Sequence, residues 1–298
     1  MVYGGTPQGI MAAVAASRQG QRVVLVAPGG RLGGVLTQGW LATLDLSADS
    51  RGYPLSRGMV LDLRHRLGHD NSFDVGEMGR LLNGLLSRSR VRVLRDAALL
   101  SVGREAGQQN RLGCPVFAQG GRRRAVCASV YLDASDDAEL AARAGAPFTL
   151  GRADTGRDRL QMAAGLVFRL RGVRWPALRA VLRQQGNGLN HLHSLGGRTL
   201  VGLDTLAAGY LPSDPRRFFL RGFNGARQDD GSLLLNALLL LGVDGTDPAS
   251  VRAARQAGDL EARRVTRYLR RALPSVFGSV SYGGAAPQLY LRETRHLV

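Results

Sequence analysis

The order in which apolar positions change their period predicts strands alternating with helices. Val2-Tyr3 is a short apolar start that runs into Gly4-Gly5-Thr6-Pro7-Gln8-Gly9. From Ile10 to Gln19 the spacing is helical, and Ala12, Ala13, Ala15 and Ala16 allow such a helix to approach a sheet closely. Gly20 is a natural stop. The run Arg22-Val23-Val24-Leu25-Val26 has no alternation, as expected of a strand buried on both faces of a parallel sheet, so the segment reads as a βαβ unit. Helical spacing returns over 52–68 and 73–88, and Val91 to Arg95 predicts a strand that rejoins the sheet. Phe117 to Ala118 and Ala125 to Leu132 predict a hairpin or meander around the Arg122-Arg123-Arg124 turn, closing on Asp133-Ala134-Ser135. Ser135 to Glu139 fits a helix N-terminus with acidic residues in its first turn.

The pattern changes near Phe148. Arg157 to Arg171 and Arg216 to Phe223 predict strands, Trp175 to Gln185 a helix, and Asp247 to Leu273 a long amphipathic helix. The fold class expected is therefore α/β, a Rossmann-like domain with a parallel sheet over 1–150 followed by an inserted α+β domain over 151–298, with the linker at 145–156.

Composition narrows this picture only a little. The 298 residues suffice for about two domains. The formal charge of +17 would suit a polyanion. Every basic side chain is arginine, however, and Ile10 is the sole isoleucine, the signature of a GC-rich coding sequence rather than of a binding surface. The arginines are also scattered, so no nucleic-acid partner is expected. Leu233 to Val243 falls short of the ~20 apolar residues that a bilayer span needs, and Asn236 interrupts it. With no membrane partner and no signal-like start, cytoplasmic residence is the expectation. Cys114 and Cys127 are too far apart for a CxxC motif and are expected to be buried free thiols.

The chemistry lies in the first turn. A glycine-rich turn between strand and helix gathers backbone N–H groups and the positive end of a helix dipole at one point, which suits a pyrophosphate. Gly4 permits the tight turn and Gly9 the packing of helix on strand. Thr6 replaces the middle glycine of GxGxxG, and its Cβ would crowd a dinucleotide unless its hydroxyl takes a phosphate contact. The same residues would also serve an α/β turn that binds nothing.

A second glycine cluster, Pro28-Gly29-Gly30-Arg31-Leu32-Gly33-Gly34-Val35-Leu36-Thr37-Gln38-Gly39, follows the second strand. The succession VYGGTPQGI, RVVLVAPGGRLGGVLTQG, VYLDASDDAELAARAG and LYLRETRHLV resembles the FAD-dependent oxidoreductase family, itself distantly similar to the glutathione reductase and fumarate reductase flavoprotein folds. The resemblance implies FAD as cofactor, with Gly4, Gly5, Thr6, Pro7 and Gly9 at the pyrophosphate and Ala27 and Pro28 at the end of the second strand. It further implies that Arg31, Gly33, Gly34, Thr37 and Gln38 run beneath the adenosine toward the isoalloxazine. Asp133, Ala134 and Ser135 stand at a strand end that approaches FAD in that family.

The sequence departs from the family in three places. Members usually end the second strand with Glu, which holds the ribose hydroxyls, and this chain has Ala27. Such a loss would cost on the order of 1.5 to 3 kcal/mol. The first strand is short, and the family's glycine-rich return to the first domain is not found before Val298, so truncation at both ends is expected. Catalytic groups are scarce. His191 and His193 alternate as on a strand but lack a third metal ligand, and no metal is expected. Arg292, Arg295 and His296 could place fixed positive charge near a flavin that reacts with an anionic substrate, or could be an ordinary surface segment. The function expected is hydride transfer between FAD and an unidentified small molecule. Two alternatives stand beside it, a split flavoprotein fragment without activity of its own and a basic binding module.

Overall fold

The computed structural model describes residues 1–44, 46–51, 53–67, 71–105, 108–184, 197–293 and 295–297. The chain forms two compact units, one of Met1–Gly34, Gly79–Gln161 and Glu293–Val298, the other of Val35–Met78 and Met162–Arg292. His191 and His193 lie outside the described residues.

The first unit is built on a parallel sheet in the order β3-β2-β1-β9, with β1 Val2–Tyr3, β2 Val24–Val26, β3 Arg92–Leu94 and β9 Leu132–Asp133. β1 is central, Tyr3 lying opposite Val26 on one side and Asp133 on the other. Helix α1, Pro7–Arg18, connects β1 to β2 and buries Ile10, Ala13 and Val14. Of the four alanines expected to face the sheet, only Ala13 is buried, Ala12 and Ala16 are half-buried and Ala15 is exposed. Gly20 follows the helix at φ +80°, a left-handed conformation that glycine reaches without a steric cost.

An antiparallel sheet adds β4 Ala98–Ser101, β7 Val116–Gln119 and β8 Arg122–Ala125, and β5 Arg104–Glu105 pairs with β6 Gln108–Leu112 between them in the chain. Tyr3, Val26, Leu94, Leu99, Phe117 and Leu140 form a shared core. A hairpin is present, but its turn is Gly120-Gly121, and the arginines expected at the turn form the second strand, Arg122–Ala125. The strand expected from Ala125 to Leu132 is not there except for Ala125 and, in β9, Leu132. The cysteines require a correction, for Cys114 and Cys127 form a disulfide and are not free thiols. The β7–β8 register explains it. Val116 opposes Ala125 and the Val126 amide donates to the Pro115 carbonyl, so the register continues to Cys114 opposite Cys127, their Cα atoms 4.4 Å apart. That is the spacing of directly opposed residues in a pair without backbone hydrogen bonds.

The second unit holds a sheet in the order β12-β13-β14-β11-β15, with β11 Ala164–Arg171, β12 Thr199–Gly202, β13 Phe218–Arg227, β14 Leu233–Leu240 and β15 Ser281–Ala285. The leucine run that is too short for a membrane is thus the middle strand of this sheet. The long helix Pro248–Ala272 covers one face. Asp247 caps it by accepting from the amides of Ala249 and Ser250, and Ala262, Val265 and Leu269 are buried. Leu166, Phe168, Leu170, Leu235, Leu238 and Leu240 belong to the core beneath it.

Some boundaries differ from the expectation for local reasons. The strand expected from Arg157 begins only at Ala164, because Asp158 pairs with Arg152 and accepts from the Leu160 amide, holding a loop there. The helix expected over 52–68 is confined to Met59–Arg66. Before it, Asp49 accepts from the amides of Arg51 and Tyr53, a side-chain-to-backbone turn that competes with helix.

Candidate functional site

The glycine turn lies where the sequence places it, at the carboxyl end of β1 and the start of α1. Thr6 is the N-cap, its hydroxyl accepting from the Gly9 amide at 3.1 Å, and Pro7 occupies the first helical position. The Thr6 hydroxyl also donates to the Ala134 carbonyl at 2.7 Å. Its proton is therefore committed inside the protein rather than offered to a phosphate. Among the described residues the amides of Gly5, Thr6 and Gln8 have no acceptor, so unpaired donors gather at the positive end of a three-turn helix. This donor set fits a pyrophosphate.

Two glycines of the turn are required by the protein's own backbone. Gly4 has φ +121°, and a Cβ on it would lie 2.3 Å from the Ala134 carbonyl oxygen. A Cβ on Gly9 would lie 2.1 Å from the Gly4 oxygen. The loop after β2 folds onto the same turn, the Gly33 amide donating to the Gly5 carbonyl at 2.7 Å. Gly34, at φ +44°, leaves a Cβ-sized space 3.4 Å from the Thr6 Cα. Gly4, Gly5, Thr6, Pro7, Gly9, Gly33, Gly34 and Ala134 are thus brought together. Arg31 and Pro28 stay exposed on the loop. Thr37 and Gln38 lie at and just after the end of the short helix Gly34–Thr37, where the Gln38 side-chain Nε2 donates to the Thr37 hydroxyl.

Asp133 and Ser135 have a visible task. The Asp133 carboxylate accepts from the Ser135 amide and hydroxyl and from the Ala141 amide, while the Ser135 hydroxyl accepts from the Glu139 amide. These bonds satisfy two first-turn amides of the helix Glu139–Arg143, whose N-cap residue is Ala138, and the Thr6 hydroxyl holds the Ala134 loop against the glycine turn. Beneath it, Tyr3 is fully buried and donates to Glu139 at 2.5 Å. Burial first, and the Glu139 carboxylate second, push its phenol above the ordinary tyrosine range.

Ala27 is 1% exposed, and the sheet end it marks has no carboxylate of its own. A carboxylate does stand beside the following loop. Asp96, just past β3 with φ +52°, places Oδ1 2.9 Å from where a Cβ on Gly30 would be. Arg95 fixes the same loop by donating to the Gly30 carbonyl and to Asn83. Sequence reasoning missed Asp96, since only the adjacency of β2 and β3 brings it to Gly30.

The terminal candidates separate. Arg292 belongs to the second unit and lies over the Tyr290 ring at 5.4 Å. Arg295 and His296 sit on β16, Arg295–Leu297, which pairs with β10, Phe148–Leu150, in the first unit. Arg295 is paired with Asp137 at 2.6 Å, and His296 Nε2 lies 3.0 Å from Glu293.

A family profile described as FAD dependent oxidoreductase matches residues 1–298. No curated protein matches the chain. Among solved structures, p-nitrophenol 4-monooxygenase PnpA from Pseudomonas putida DLL-E4 is similar with a TM-score of 0.54 at 11% identity, over 100% of this chain and 68% of that one. A geranylgeranyl bacteriochlorophyll reductase-like protein from Thermoplasma acidophilum gives 0.52 at 13% identity, over 99% of this chain and 64% of that one. The myxobacterial chondrochloren halogenase CndH gives 0.53 at 15% identity, over 98% of this chain and 62% of that one. At such identities the likeness establishes the fold, and the chain spans about two thirds of these proteins' length.

Proposed function

The chain belongs to the FAD dependent oxidoreductase family, whose cofactor is FAD, and from that premise we propose that it oxidises or reduces a small-molecule substrate by hydride transfer, the parallel-sheet unit holding the dinucleotide and the other unit receiving the substrate. The observation that carries the proposal is the set of unpaired amides at Gly5, Thr6 and Gln8, aligned with the α1 dipole. When bound, FAD supplies the acceptor or donor of the hydride.

The protein's own residues bind and orient. The amides of Gly5, Thr6 and Gln8 would take the two phosphates, and the Thr6 cap keeps the first turn of the helix from fraying. The Asp133-Ala134-Ser135 loop fixes the turn from one side and the Leu32-Gly33-Gly34 loop from the other. Asp96, standing over Gly30, would take the place of the missing Glu and accept from the ribose hydroxyls. A charge-assisted bond of this kind is worth about 1.5 to 3 kcal/mol, so Asp96→Asn should weaken FAD binding by roughly tenfold to a hundredfold. Titration of apoprotein with FAD, followed by flavin fluorescence, checks this. Equal affinity in Asp96→Asn and wild type would remove Asp96 from the site, and absence of binding to the wild type would remove the flavin.

A further inference from the structure

The sheet of the second unit is not equally apolar on its two faces. In β14, Leu233, Leu235, Ala237, Leu238 and Leu240 join the core under the long helix, whereas Leu234, Asn236 and Leu239 do not, and Asn236 is the one polar residue of the strand. A bulge interrupts the sheet at the same level. Leu220 pairs with Leu238 and Asn224 with Asn236, so Arg221, Gly222 and Phe223 together face a single residue, Ala237. Bulges of this kind turn a side chain away from the alternation its strand would impose.

Arg221, within this bulge, lies in electrostatic range of Arg292. The two guanidinium groups are close enough for the charge of Arg292 to act on Arg221, whose proton affinity is lowered first by burial and then by that neighbour. The Nε atom of each is buried without a hydrogen-bond partner, and neither side chain has an ion pair among the described residues. Arg169, an alternate-face residue of β11, shows the usual arrangement by contrast, with Asp230 at 2.9 Å. The contact continues. Tyr290 lies under Arg292, and a Cβ built on Gly165 would stand 3.5 Å from the Tyr290 ring and 3.4 Å from Asn236 Oδ1. Asn236 is only 6% exposed, and its Oδ1 is unpaired.

Two like charges with buried, unpaired Nε atoms thus stand beside the unpaired Asn236 Oδ1, and among the described residues no carboxylate pairs with either, an arrangement that costs free energy unless something completes it. We propose that Arg221, Arg292, Asn236 and Tyr290, grouped around Gly165, form a recognition site for a carboxylate, the guanidinium groups taking its two oxygens and the amide and phenol the polar group beside it. A carboxylate suits planar guanidinium donors and neutralises the pair. The inference deepens the oxidoreductase reading by naming its substrate class, a small carboxylic acid, and rests on that reading only in calling the ligand a substrate.

The experiment uses the full chain, with thermal melting and calorimetric titration against acetate, propionate and benzoate at an ionic strength held constant with sodium chloride. Acetamide, propionamide and benzamide serve as neutral counterparts, and inorganic phosphate as a second anion. At least one acid should bind and raise the melting temperature while its amide does not. Arg221→Met and Arg292→Met should each weaken acid binding by roughly tenfold to a hundredfold, with FAD affinity unchanged. Should Arg221→Met fail to fold, Arg292→Met, outside the strands of the sheet, gives the same reading. Equal binding of acid and amide, wild-type affinity in the variants, binding of phosphate alone, or no binding of any acid would overturn the proposal. FAD retention is read separately. Acid binding in protein that does not hold FAD keeps the carboxylate site and rejects the flavin reading, and the reverse outcome does the opposite.

Discussion

Thr6 stands where the glycine-turn pattern calls for glycine, and its side chain faces the protein. It accepts from Gly9 and donates to Ala134, joining the first turn of α1 to the loop after β9. Loss of an N-cap costs about 0.5 to 2 kcal/mol, so Thr6→Ala should lower unfolding stability by that amount and Thr6→Ser by much less, as denaturant titration would show. Gly4→Ala should be more damaging, since the new Cβ would meet backbone 2.3 Å away at φ +121°. Here the sequence was informative about which residues form the turn and silent about what they touch. That Gly4 and Gly9 had to be glycine followed from the motif, but the reason is the Ala134 carbonyl and the chain's own turn. Asp96 could not be read at all, because nothing local marks a residue whose importance comes from the strand beside it.

The β7–β8 hairpin makes the same point for elements. Apolar and turn residues predicted it, yet the pairing of Cys114 with Cys127 depends on register, which the sequence does not state. A disulfide closing a loop of this size contributes about 2 to 4 kcal/mol, largely by restricting the unfolded chain. Reduction, or Cys114→Ser, should therefore lower stability, while leaving the β1–α1–β2 turn, to which neither cysteine belongs, able to take FAD. Circular dichroism melts with and without reductant, beside FAD titration, measure both effects. Long elements were the most legible. The helix expected over 247–273 is observed as Pro248–Ala272, because Asp247 and Pro248 announce its start and the apolar stripe persists for many turns. Β14 was obscure for the opposite reason, since a strand buried on both faces has no alternation to read.

Across the whole molecule, three tyrosines, two buried and one half-buried, couple folding to pH. Tyr3 in the first unit and Tyr210 and Tyr282 in the second are all raised above the ordinary tyrosine value, in each case first by burial and then by a carboxylate, Glu139, Glu261 or Asp259. A group whose folded value is raised adds stability that is complete below its unfolded value, about pH 10, and is lost as pH rises beyond it. The protein should therefore lose stability progressively above about pH 10, with Tyr3, Tyr210 and Tyr282 ionising only as it unfolds. A phenolate absorbance change near that pH in the still-folded protein that is lost on replacing any of these three by Phe would contradict this. The two-unit division was only partly legible, because residues 35–78 join the second unit and the last residues return to the first, long-range pairings that no local pattern encodes.

The parallel sheet, its glycine turn and the unpaired α1 amides all converge on one bound dinucleotide, and equilibrium titration of the purified full chain with FAD addresses that most directly. Saturable binding of one FAD per chain is expected, with a flavin absorbance band that persists through gel filtration and a raised melting temperature. A colourless protein whose melting temperature FAD leaves unchanged would show that the turn serves the fold alone.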